Sequence, residues 1–492
     1  MPRKARPSKT AGKVRRNPRA VAAPTGVLVV NMIPRSLSAE TNQDSEPMLA
    51  VDPTNVNNIV GTAFTPDPLG GPRAPIFISS DGGRSWTLNS TLAGGRMTSD
   101  VTVAFSGRAN RLFAGILRQD SPVQNQTRMS ILRADNFSDP APMEVIDDRQ
   151  QPDQPFTQAL TQVSADGTAI ERLFVGNNDF AAKPMSATVD VSADAQTATP
   201  TFTRVRIESR STSNAGQDGP QVRPIAHPDG TVYAAYYAWR SITGSFQANT
   251  LKVTSDVVVV RDDAFASEPA PFTALEDAGD GMAGVRVVQG VSFAFNRTGL
   301  PANGQQRLGG TLSIAVDPRN SSTIYLAWGD DEPTSGFTIH VRRSTDKGQT
   351  WTTGDLLTVA SATNAALAIN SEGLVGLLFQ QLTGTGAARR WETHFRCTPD
   401  GASWSDLVLA NTPANSPPAT FSPYLGDYDH VLAVGKDFYG IFSANNTADM
   451  ANFPNGVIYQ RNADFATHRL LAIDNTTTIP MSIDPFFFKI NG

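Results

Sequence analysis

The chain has a single cysteine, Cys397, in 492 residues, so no disulfide can form within it and the fold must hold without oxidation. That suits a cytoplasmic protein, or a bacterial secreted one that does without cross-links, and it leaves Cys397 as an incidental buried residue rather than a nucleophile. Charge is sparse as well, at 18% of residues. No apolar run approaches the roughly 18 residues that a membrane-spanning helix takes, so no membrane span is expected. Long stretches of amphipathic helical periodicity are missing too. The five histidines, His227, His340, His394, His430 and His468, show no paired metal spacing. Neither Gly-x-Ser-x-Gly nor a phosphate loop occurs, which disfavours serine, cysteine or zinc catalysis and leaves any resident metal unspecified.

One acid-free region is strongly basic. Residues 1–24 hold Arg3, Lys4, Arg6, Lys9, Lys13, Arg15, Arg16 and Arg19 and no acid. The whole chain is at −5, so with these eight cations set aside the remainder carries −13. The stretch lacks the apolar core of an ordinary secretory signal, which leaves a cytoplasmic location or a non-classical export route. It reads as a basic disordered arm, 1–24, ahead of one large unit, 25–492. Such an arm is either simply solvated or an electrostatic tether to an anionic surface, nucleic acid or a protein partner.

What is present in quantity is punctuation: 39 glycines and 34 prolines set among 40% hydrophobic residues, the composition of many short strands. One two-strand phrase recurs seven times. It runs Pro47–Pro53 with Ile59–Phe64, Val101–Phe105 with Leu112–Leu117, and Phe156–Val163 with Leu173–Asn177. It continues as Val222–Pro228 with Val232–Tyr237, Leu312–Pro318 with Ile324–Trp328, Ala366–Ile369 with Leu374–Phe379, and Val431–Val434 with Phe438–Phe442. Two further strands follow each phrase. The expected fold is all-β, a β-propeller of four-stranded blades, with seven blades favoured and six as the fallback. Val27–Ile33 and Pro485–Ile490 are the strands available to close the ring and hide its edge. The stretch 276–307 reads as one long irregular insertion, a lid or a surface excursion.

Between the third and fourth strands of a unit lies a compact motif, Ser344-Thr345-Asp346-Lys347-Gly348-Gln349-Thr350-Trp351. Gly348 supplies a positive φ, while Asp346 and the flanking hydroxyls can bond the turn's own N–H groups. It returns as Ser79-Ser80-Asp81-Gly82-Gly83-Arg84-Ser85-Trp86, and in shortened form as Thr398-Pro399-Asp400-Gly401-Ala402-Ser403-Trp404. This motif resembles the Asp-box of sialidases and other proteins with bacterial-neuraminidase repeats. Gly426-Asp427-Tyr428-Asp429 is similar to a segment common in the last blades of bacterial exo-sialidase-like proteins. The resemblance covers nearly everything from Val27 onward. It implies a propeller, with the boxes as hairpin staples far from any active site, and a glycan-active function.

Loops entering the first strands are acidic: Asp44 and Glu46, Asp100, Asp153, Asp218, and Asp427 with Asp429. Carboxylates repeating with the blades should converge on one channel mouth, where they raise one another's pKa values or recruit a cation such as a structural Ca²⁺; equally, they cap turns. By the resemblance, Asp100, Asp153, Asp218 and Tyr428 are the catalytic candidates, with Tyr424 as a second tyrosine. Arg118, Arg223 and Arg240 would clamp substrate beside Asp427. The family's Phe/Tyr-Arg-Ile-Pro motif is replaced by Ile33-Pro34-Arg35, in the wrong order. The expected activity is that of a glycoside hydrolase on a carbohydrate or glycoconjugate, with no cofactor beyond a structural Ca²⁺; the alternative is a non-catalytic propeller that binds glycan or protein.

Overall fold

Apolar runs of five to a dozen residues, each stopped by Gly, Pro, Asn or Asp, pair as antiparallel ribbons throughout the computed structural model. It describes residues 26–65, 75–90, 98–119, 127–164, 166–182, 185–210, 221–245, 248, 250–294, 311–332, 336–417 and 424–492. The basic arm and Asp218 lie outside these residues. Among the described residues there are six four-stranded sheets, one of five strands and one of three. Helical structure there is confined to single turns at Arg35–Leu37, Gly386–Ala388 and Met450–Asn452.

Each recurring phrase forms the two inner strands of its own sheet. The seven first strands are Ser45–Val51, Thr98–Phe105, Pro152–Val163, Val222–Ala226, Leu312–Asp317, Ala362–Ile369 and His430–Val434. Each touches the next, and the last touches the first. They surround an axial channel of about 240 Å³ to which all seven contribute. The architecture is therefore a β-propeller, and the sheets are numbered here one to seven in chain order. The three-stranded sheet, Ala463–Asp464, Arg469–Leu471 and Thr478–Ile479, contributes nothing to the channel.

A sheet standing radially in a ring has a neighbour on both faces, so its strands bury residues on both sides and read as nearly continuous apolar runs. The core is accordingly divided into wedges. Met48, Val60 and Ile76 of sheet one meet Val101, Leu112 and Ile116 of sheet two. The series continues round to the cluster where Tyr439, Ile441 and Phe487 of sheet seven meet Leu49, Ile59 and Phe77 of sheet one. Sheet seven is where the chain ends join. Its order runs His430–Val434, Asp437–Asn445, Ile483–Ile490, Val27–Asn31, Ile458–Tyr459. The C-terminal strand thus lies between a neighbour close in sequence and one from the other end of the chain. Alternation along it sends Phe486 and Phe488 toward sheet six and Phe487 toward sheet one.

The segment from Glu276 does not behave as a single excursion. Val285–Ala294 is the outer strand of sheet four, paired along Lys252–Asp262; residues 295–310 lie outside those described. The sequence reading missed this strand because Gly284 and Gly290 interrupt it and its pairing shifts register twice, which blurs the alternation that marks a strand.

The turns between third and fourth strands close as their residue types require. Ser344 Oγ donates to Asp346 Oδ1 at 2.7 Å and accepts from Gly348 N at 2.9 Å. Asp346 takes Thr350 N at 2.9 Å and Thr350 Oγ1 at 2.6 Å, and Trp351 Nε1 reaches Gly348 O at 3.2 Å. Gly348 sits at φ +82°, a left-handed conformation that other residues adopt only with strain. Ser79, Asp81, Gly83, Ser85 and Trp86 repeat these bonds. Thr398 and Asp400 keep the hydroxyl-to-carboxylate bond in the shorter loop. Each tryptophan then packs into the wedge shared with the preceding sheet: Trp86 against Phe487 at 5.4 Å, Trp351 between sheets four and five, Trp404 between five and six.

Sheets five and six also share a side-chain device. His340 stacks on Trp328 at 5.2 Å and is held by Asp355 at 2.8 Å and Asp330 at 3.2 Å. His394 stacks on Phe379 at 5.0 Å between Asp406 and Glu392. Burial opposes charge on His340, but the two carboxylates prevail and raise its pKa from 6.5 to about 9.

Two outcomes follow for stability. Asp346→Ala removes the acceptor for three turn bonds and should cost roughly 1–3 kcal/mol, read as a lowered thermal midpoint with the fold retained by circular dichroism. The charged His340 contributes stability that is complete below pH 6.5 and lost as pH rises through about 9. Thermal melts across that window should therefore show a decline in the wild type that His340→Gln lacks.

Candidate functional site

The first strands start on the same end of the ring, and four of them start irregularly. Register slips between Ser45 and Met48, Thr98 and Val101, Asp153 and Phe156, and Thr363 and Ala366. Each slip inserts one extra residue, a bulge that re-aims side chains at the channel mouth. Glu46, Gln154 and Asn364 occupy equivalent bulge positions with φ of 52°, 51° and 59°. By register, then, Glu46 of sheet one corresponds to Gln154 of sheet three and not to the adjacent Asp153.

At this mouth the ring gathers Asp100, Arg223 and Tyr428. Tyr428 Oη donates to Asp100 Oδ1 at 3.0 Å, joining sheets seven and two past sheet one, which touches both. Arg223 lies with its guanidinium 4.1 Å from the centre of the Phe156 ring and 5.3 Å from that of Tyr428, and Nε donates to Leu312 O at 3.3 Å. Cation–π contact suits such a charge because the ring faces are negative. The main chain of Asp427 is pinned from two sides: its N–H donates to Glu46 Oε1 at 3.2 Å, and its carbonyl accepts from Gln221 Nε2 at 3.0 Å. Gln221 in turn accepts from Leu312 N at 2.8 Å. Gly426 is required here, since a Cβ would stand 2.6 Å from Glu46 N and φ is +90°.

Burial sets the electrostatics. Tyr428, Asp100 and Arg223 are only 4%, 5% and 5% exposed. Burial, Asp100 and Glu46 drive the Tyr428 phenol well above its ordinary value. Burial lowers Arg223 to about 10, against the pull of Tyr428, Asp100, Asp427 and Glu46, so it stays a cation at neutral pH. His430, packed edge-on to Phe156 at 6.0 Å, is lowered by burial and by Arg223 to about 3 and is neutral. Burial raises Asp429 well above the carboxylate range. The mouth can therefore offer a phenol beside a carboxylate, under a fixed positive charge.

The other residues singled out from sequence stand apart from this group. Asp153 is half-buried and accepts from Gln154 N at 2.9 Å. Arg118 pairs with Asp148 at 3.1 Å within sheet two. Arg240 pairs with Asp256 at 2.8 Å and Glu208 at 3.2 Å. Tyr424 is buried and donates to Pro413 O at 3.3 Å, bracing its own loop. Asp44 faces away into a separate buried cluster with Glu40 and Asp484, the one group of three close acids among the described residues. Phe156, Gln221 and His430 were not singled out as site residues. Phe156 and His430 look in sequence like any core aromatic or lone histidine; Gln221, just after Gly219-Pro220 in the sequence, carried a faint positional signal.

No family model matches the chain, and no curated protein matches it. Among solved structures it is similar to a mutant of the α-L-arabinofuranosidase arb93a from Fusarium graminearum in complex with an iminosugar inhibitor, with 9% identity, a TM-score of 0.41 and coverage of 94% of this chain and 97% of that one. It is also similar to the phage phi92 endosialidase, with 12% identity, a TM-score of 0.40 and coverage of 94% and 69%. A Trypanosoma rangeli sialidase in complex with 2,3-difluorosialic acid gives 12% identity, a TM-score of 0.37 and coverage of 95% and 58%.

Proposed function

We propose that the protein is a seven-bladed, sialidase-like propeller that hydrolyses a glycoside at the channel mouth. The observation that carries this reading is the 3.0 Å bond from Tyr428 Oη to Asp100 beneath Arg223. In the resting site Tyr428 is a phenol, because the neighbouring carboxylates and burial disfavour its anion. As Tyr428 Oη attacks an anomeric carbon, its proton passes to Asp100 and the bond to the leaving sugar oxygen breaks, that oxygen taking a proton from a mouth carboxyl or water. Water then attacks the glycosyl-tyrosine, returns the phenol and releases the sugar. Arg223 would stabilise the phenolate as it forms. Arg118 and Arg240 are engaged in ion pairs inside their own blades, which supports a glycan other than a standard sialoside.

Burial of all three residues at 5% exposure or less favours a second reading, a non-catalytic ring that binds glycan or protein on the same face. A screen of fluorogenic glycosides, sialosides included, run beside a glycan array separates the two. Hydrolysis of at least one glycoside is expected, with Tyr428→Phe and Asp100→Asn each lowering kcat roughly 10²- to 10⁴-fold. Retention on the array with every glycoside left intact would establish the binding reading instead.

The basic arm, 1–24, is proposed as a part independent of the ring, a tether to an anionic surface or partner. Without apolar periodicity it cannot offset an ordering cost of roughly 1–2 kcal/mol per residue. Truncation to residue 25 should leave the thermal midpoint unchanged in differential scanning calorimetry. An unfolded truncation product would make the arm a docked strand.

A further inference from the structure

Where the chain ends meet in sheet seven, three carboxylates are buried together. Glu40, Asp44 and Asp484 are 8%, 2% and 0% exposed, and each offers an oxygen within 4.8 Å of the others. The groups facing them are few. Arg461, itself fully buried, pairs with Asp484 Oδ2 at 2.9 Å. Asn31 donates to the same oxygen at 2.8 Å, and Asn446 and Ser482 donate to Asp484 Oδ1 at 2.6 and 3.0 Å. Thr65 bonds Asp44 and Tyr459 stands near Asp484. Glu40 takes the N–H of Asn42 on Oε1, while its Oε2, equally buried, meets no hydrogen-bond donor among the described residues.

Three carboxylates and one guanidinium leave a formal −2 out of water, a cost that proteins normally meet with a counter-charge. Arg461 is committed to Asp484 and to the carbonyls of Ser38 and Glu40, so it does not neutralise Glu40 or Asp44. Oxygens up to 4.8 Å apart are spanned by a single ion with bonds of about 2.4 Å, the range of Ca²⁺, but are wide for the roughly 2.1 Å bonds of Mg²⁺. From the free, buried Oε2 of Glu40, the spacing of the three acids and the uncompensated charge, we infer that Glu40, Asp44 and Asp484 form a site for one hard divalent cation of the Ca²⁺ class. Such an ion would tie the loop after strand Val27–Asn31 to the C-terminal strand Ile483–Ile490, reinforcing ring closure at its seam. Burial and the neighbouring acids raise the Glu40 and Asp44 carboxyls above the usual carboxylate range, as crowding of like charges requires.

The full chain, treated with chelator and then titrated with Ca²⁺ or Mg²⁺, tests this by thermal melts and elemental analysis. The inference predicts one Ca²⁺ per chain and a midpoint raised by several degrees by Ca²⁺ and little by Mg²⁺. Asp44→Asn and Glu40→Gln should abolish both the rise and the stoichiometric metal. Should a variant fail to fold, terbium luminescence on the wild-type chain supplies the reading, with one-to-one binding displaced by Ca²⁺ as the supporting result. A midpoint indifferent to chelator and Ca²⁺ would overturn the inference, as would stoichiometric Ca²⁺ retained in both variants.

Discussion

Ring closure is the constraint on which the rest of the structure depends. Sheets set radially in a ring have no hydrophobic centre in common; each is buried only by its two neighbours, so a gap anywhere would expose two apolar faces. The strand Ile483–Ile490 prevents that gap by pairing with Asp437–Asn445 on one side and Val27–Asn31 on the other. Its three consecutive phenylalanines fill the wedges on both faces. No sheet edge is left between the two ends of the chain, which removes the template for unwanted pairing that an open seam would present.

The same closure creates the candidate site. Tyr428 and Asp100 come from sheets that are next to one another only after a third is counted between them, and Arg223 comes from a fourth. Their side chains meet because all first strands begin at one end of a narrow channel, with Asp100 in the bulge of its own strand. In that setting low exposure strengthens each electrostatic pairing. Burial also drives the Tyr428 phenol well above its ordinary pKa and keeps His430 neutral.

Opposite ends of the sheets do different work. Turns between third and fourth strands carry Asp346, Asp81 and Asp400 in closed local networks, so their carboxylates are spent on their own backbone. The carboxylates at the channel mouth bond across sheets instead. The candidate site and the stapling turns are thus separated by the direction in which each strand runs.

Much of this was legible in residues 26–492. Local physics dictates it: apolar runs between turn residues make strands, and a Ser-x-Asp-x-Gly-x-Thr-Trp stretch closes a turn with bonds only a few residues long. The seven inner hairpins and the closing strands were readable for that reason. The strand Val285–Ala294 was not, because glycines and register slips erase its alternation. Nor could sequence separate Asp100, bonded to Tyr428, from Asp153, which caps its neighbour, or Asp44, which faces a different cluster. In sequence those three acids sit in similar places ahead of an apolar run, but Asp100 falls within the one-residue bulge of its strand, while Asp153 and Asp44 come before theirs. Sequence by itself determined strands, turns and the repeat; which carboxylates meet which cation or phenol was decided by tertiary structure, because those contacts span up to hundreds of residues and depend on register and ring closure, which no local pattern encodes.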